Sequence, residues 1–220
     1  MDNDLHIIFS KEILGEDKEV KAKFTSNFEQ GITEFINSIV ESYQRWTKYD
    51  SLVGSDRRRA FVAAFLFNAI TNLSASMKML IAGYTIPSNN LDRQTIESIC
   101  SAILCSSEWL QFYQQVEQDR FSSKSSLNLV LKHSKKLQIN RNAMLALKKL
   151  YEFYHKLSHP SSLTLAFNIS IGNLGSTYIG PSFDEDKMVA YKKEVTNRIN
   201  LSKNITNVIE ALLLPESDAS

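Results

Sequence analysis

The chain has 220 residues, with 25 Lys and Arg against 24 Asp and Glu, a formal net charge of +1, and 43% hydrophobic residues. That balance is ordinary for a soluble globular protein, argues against a dedicated nucleic-acid binder, and provides enough chain for one domain to bury its own core without disulfides or metal. Seven Gly and four Pro supply few turns, which favours long helices over many short strands.

In chain order, residues 1–15 show no clear period and are expected to form an N-terminal arm or a short extended segment. From about Glu19 to Lys48 the pattern turns helical: Val20, Phe24, Phe28, Ile32, Phe35, Ile36, Ile39, Val40, Tyr43 and Trp46 recur at steps of three and four. "YDSLVGSD" then supplies turn residues, and Ser55 or Asp56 can cap a second helix over about 56–84. That helix holds "AFVAAFLFNAI" (60–70), ten apolar residues in eleven, but Asn68, Thr71, Asn72, Ser74, Ser76 and Lys78 interrupt it short of the ~20 that a membrane span needs. It is expected to be a central helix buried on nearly all sides, with no membrane partner. Gly83 and Pro87 end it, and Ser88 is the natural cap of a third helix over about 89–118. A short helix (125–135) and another (about 140–159) follow.

After Pro160, "LTLAFNISI" and "STYIGP" flank "GNLG" and predict a β-hairpin at about 165–180. Asp184, Glu185 and Asp186 favour a helix start, and a last long helix runs to about Leu214. The expected fold is all-α: one domain over 16–214, a bundle of about six helices with a small hairpin before the last, and a disordered tail at 215–220. The opening "MDNDLHIIFS" is acidic and its apolar stretch is too short for a secretory signal, so a cytoplasmic location is expected. Cys100 and Cys105 stand about 140° apart on a helix, unsuited to a bridge within it, and are expected as buried thiols.

Charge is uneven. Residues 121–151 carry Lys124, Lys132, Lys135, Lys136, Arg141, Lys148 and Lys149 and no acid, whereas residues 1–50 carry ten acids against six Lys and Arg. The two regions can complement each other within the fold or across a homodimer. Alternatively Lys132, Lys135, Lys136, Arg141, Lys148 and Lys149 form a surface for RNA, although aromatics are sparse in that stretch.

Two groups of polar residues stand out. In "YEFYHKLSHPSS" (151–162) the helix ends at His159 or just before it, because the residue preceding a proline is pushed out of the α region. His155 and His159 share a face there, but Lys156 stands where a zinc-protease motif needs Glu, and "EFYH" has no second copy for a di-iron bundle. No metal or cofactor is therefore expected. In "LDRQTIES", Arg93 and Glu97 are four apart, either as a surface ion pair or turned towards the bundle, where Tyr154, Ser158, His159, Asn68 and Asn72 are candidate partners.

"RQTIE" (Arg93 to Glu97), followed some sixty residues later by "YHKLSHPS" (Tyr154 to Ser161), resembles a family of uncharacterised prokaryotic helical proteins known as a domain of unknown function. The resemblance covers roughly residues 60–210. It implies a helical core with Arg93, Glu97, Tyr154, Ser158 and His159 grouped together, and no particular activity. A more distant likeness is to the HEPN superfamily, helical bundles that include dimeric ribonucleases with an Arg four to six residues before a His. This chain departs from that signature, since Arg141 lies eighteen residues before His159. Three readings follow: a non-catalytic module binding a protein or small ligand as a dimer; a metal-independent ribonuclease with His159 as acid or base and Arg93 on the phosphorane; and a metal-dependent enzyme on Glu152, His155 and His159.

Overall fold

The computed structural model describes residues 2–122, 125–171, 176–178 and 180–213. Among them are nine α-helices and no strand: α1 (Asp2–Leu14), α2 (Lys18–Asp50), α3 (Arg57–Ile81), α4 (Thr85–Ser106), α5 (Phe112–Glu117), α6 (Ser126–His133), α7 (Arg141–Leu157), α8 (Ser162–Asn168) and α9 (Met188–Leu213). The all-α expectation holds, but with nine helices among the described residues where about six were expected, the added ones being the short α5 and α8 and the N-terminal α1.

The hairpin α3–α4 is the centre of the bundle, with α2 and α9 packed together against α3 and α7 and α6 against α4. The core runs through Val62, Leu66, Leu73 and Leu80 of α3, Ile96, Ile99 and Ile103 of α4, and Leu201, Ile205 and Ile209 of α9. α3 is long and apolar enough to cross a membrane by length and composition. Its inner face packs against α4, but Ala64, Phe67, Asn68, Thr71 and Met79 are exposed, so the expectation of a helix buried on nearly all sides is corrected.

Local signals explain most boundaries. The Asp56 carboxylate accepts the Arg59 N–H at 3.1 Å and starts α3, and Asn140 caps α7 through the N–H groups of Asn142 and Ala143. α4 begins at Thr85, ahead of the expected Ser88 cap. Pro87 is tolerated because a first-turn nitrogen has no helical partner to lose. α4 stops at Ser106, not near 118, because Ser107 is extended and Gln111 adopts a left-handed φ of 48°. α2 bends at Phe28, whose φ/ψ of −128°/22° leaves the helical region. Its Gly31 lets α9 come close: a Cβ there would stand 2.7 Å from Val195 Cγ1. A buried hydroxyl seam joins the same two helices, with Ser42 Oγ 3.1 Å from Ser202 Oγ and 2.9 Å from Thr206 Oγ1.

Two further expectations are corrected. Residues 2–14 are helical rather than extended. The period was uninformative because α1 packs no apolar face on the core: Leu5, Ile7, Phe9, Ile13 and Leu14 are exposed. Nor is there a β-hairpin over 165–180 in the described residues. Ser162–Asn168 forms α8, started by Ser161, whose Oγ accepts the Thr164 N–H at 3.2 Å. A good N-cap and local hydrogen bonds prevail over the β propensity of a short segment. Among the described residues the pairing there is one antiparallel bridge, Ile169–Thr177. The expected turn at 172–175 and the tail at 215–220 lie outside the described residues. The end of α8 is tied to the start of α9 by the buried Lys187, whose ammonium donates to the carbonyls of Phe167 (3.1 Å) and Ile169 (2.7 Å).

Candidate functional site

The polar residues of α4 and α7 form two assemblies, one sealed inside the bundle and one along its surface. The inner one is built on Arg198 of α9, which is fully buried. Its guanidinium lies 2.7 Å from Asp92 Oδ2 and 2.9 Å from Glu194 Oε2. It also donates to Ser76 Oγ (2.9 Å), Ser88 Oγ (2.9 Å), Asn89 Oδ1 (3.0 Å) and the Glu194 carbonyl (2.8 Å). The Tyr154 hydroxyl of α7 donates to Glu194 Oε2 at 3.4 Å. One side chain thus ties α3, α4 and α9, and α7 joins through Tyr154.

Two carboxylates sharing one guanidinium leave an uneven charge balance. Burial pushes the Asp92 carboxyl up to about 6; Arg198 pulls it down and Glu194 adds to the rise. Burial, then the charges of Asp92 and Glu194, hold the Tyr154 phenol well above its ordinary range. For Arg198 burial works against the charge, but the carboxylates outweigh it and its pKa stays raised.

The outer assembly follows the α4–α7 seam. Arg93 and Glu97 approach to 4.0 Å, both part-buried, and Glu97 Oε1 accepts the Tyr151 hydroxyl at 3.0 Å. Burial and the Glu97 charge push the Tyr151 phenol up to about 12. The Tyr151 ring stacks parallel to His155 with centroids 6.1 Å apart, and His155 meets His159 edge-on at 4.7 Å. Ser158 Oγ donates to Asn90 Oδ1 at 2.6 Å.

Of the five candidate residues, Arg93 and Glu97 are therefore together, on the seam. Ser158 and His159 lie at its far end, His159 exposed at the end of α7, and Tyr154 turns inward to Arg198. Neither Asn68 nor Asn72 is bonded to the pair; Asn68 donates to Ser98 Oγ at 2.8 Å. Glu152 is exposed and 3.8 Å from Lys148, and among the described residues no three His, Cys, Asp or Glu side chains gather as a metal-holding group.

The sequence reading did not single out Asp92, Glu194 and Arg198. A signal was present: Tyr191, Val195, Arg198, Ser202, Ile205 and Ile209 are buried at alternating steps of four and three, so Arg198 occupies a core position of α9. No protein-family model, no curated protein and no solved structure matches this chain.

Proposed function

We propose that the chain is a non-catalytic helical module for binding or regulation that works as a homodimer. The observation that carries this reading is the commitment of the polar residues to holding helices. Arg198, Asp92, Glu194 and Tyr154 are closed off from solvent, while Tyr151 to Glu97 and Ser158 to Asn90 bind across the α4–α7 seam, with Arg93 beside Glu97 on α4. A rigid frame of this kind presents surfaces. The exposed stripe Ile36, Val40 and Tyr43 on α2 is the face offered to a second copy. In light scattering the wild type then has twice the chain mass, and Val40→Lys the mass of one chain.

A second reading, the HEPN-like metal-independent ribonuclease, is favoured by His159, an exposed imidazole at the end of the seam that carries Arg93. Against it, Arg141 begins α7 while His159 lies just past its end, about 27 Å along the helix at 1.5 Å per residue. The deciding experiment incubates labelled cellular RNA, with chelator, with wild type and with His159→Ala. Intact RNA in both lanes supports the module; cleavage by the wild type alone overturns it in favour of the ribonuclease.

A further inference from the structure

The acid-free stretch 121–151 contains no tryptophan, but the fold brings one to it. Trp109 stands in the turn between α4 and α5 and remains 48% exposed, although large aromatic rings are usually covered. The Lys136 ammonium lies over one face of its ring, 4.9 Å from the centre, and the His133 ring meets it edge-on at 5.3 Å. Lys132, Lys135 and Lys136 are exposed at the end of α6 and in the turn after it. Arg141 is anchored by its guanidinium on the Leu131 carbonyl at 3.0 Å. The neighbouring acid, Glu108, is held by Arg58 at 2.9 Å, so it does not cancel these cations.

The geometry points to a platform for single-stranded nucleic acid: a base stacks on Trp109 as Lys136 swings from the ring to a flanking phosphate, with Lys132 and Lys135 holding the neighbouring phosphates. An acidic peptide would use the cations but leave the ring without a role, whereas a strand uses both. Double helices hide the base faces, so single strands are preferred. This inference rests on the binding-module reading and names its ligand class.

The test uses the full chain and a labelled 12-mer of 2′-O-methyl oligouridine, which an attacking 2′-hydroxyl cannot cleave, with a single-stranded DNA of matching sequence beside it. Anisotropy is followed from 50 to 200 mM salt. Trp109→Ala is expected to weaken binding roughly 5- to 150-fold, the worth of one base–aromatic stack, and Trp109→Phe to retain most of it. Changing Lys132, Lys135 and Lys136 together to Glu is expected to reduce the slope of log affinity against log salt by about 2. The proposal is overturned if neither strand binds, if Trp109→Ala binds like wild type, if a duplex binds as well as the single strand, or if polyglutamate displaces the strand at equal charge. Failure here leaves the module reading standing. Binding of this strand together with cleavage of ordinary RNA would sink the non-catalytic part of that reading and leave the platform as the strand-holding surface of a nuclease.

Discussion

Replacing Arg198 with Met tests the account of the bundle interior most directly. The substitution keeps much of the side-chain volume and removes the charge. It leaves Asp92 and Glu194 buried without a cation, and it strips Ser76, Ser88 and Asn89 of a shared donor. Breaking a buried ion pair from one side costs about 3–5 kcal/mol. In a chain of this size 1 kcal/mol moves Tm by about 2–4 °C, so Tm should fall by roughly 6–20 °C. Thermal melts followed by circular dichroism at pH 7 read this directly. Converting Asp92 to Asn and Glu194 to Gln in the same background should recover part of the loss, because the stranded charges are gone. A melt for Arg198→Met within 2 °C of wild type would refute the reasoning.

Other outcomes follow from the same structure. Asp92 titrates at about 6 when folded, above its ordinary 3.8, so the folded state holds a proton that the unfolded state releases between these values. Its contribution therefore falls as pH rises from about 4 to 6, by up to about 3 kcal/mol, and Asp92→Asn should remove that slope from urea midpoints measured across the range. Gly83 has a φ of +87°, and a Cβ there would stand 2.6 Å from Val20 Cγ1 and 2.8 Å from the Ser182 nitrogen, so Gly83→Ala should cost about 2–3 kcal/mol in chemical denaturation. Burial pushes the Cys105 thiol up to about 12 and Cys100 higher still, so a thiol reagent at pH 8 should label neither in the native protein and both in guanidinium. His159→Ala removes an exposed ring contact and should leave stability within about 0.5 kcal/mol of wild type, in contrast to Arg198→Met.

The helices were legible where a chain face repeats at steps of three and four, as in α2, and where a cap is written in, as at Asp56. Two kinds of information were not. Propensity misled in α8, where β-branched and aromatic residues follow Ser161 but the cap decides. Polar partners were the other. Glu194 to Arg198 and Arg93 to Glu97 are the same motif in opposite order, four residues apart on a helix. Only packing decides that the first is sealed in the core and the second lies on a seam. Tyr154 shows the same limit at finer scale: three residues from Tyr151 on α7, it serves the inner carboxylate while Tyr151 serves the outer one.

Arg198 also bears on how the chain is made. Ser76, which its guanidinium reaches, precedes it by 122 positions. At 5–20 residues per second, a ribosome needs roughly 6–25 s to travel between them. For most of that interval, once Ser106 is added, α3 and α4 are complete but their carboxylate at Asp92 lacks its counter-charge. The ion-pair interior of the α3–α4 hairpin is therefore completed only when α9 emerges, and nascent chains halted before residue 198 are expected to stay more sensitive to protease than the full chain.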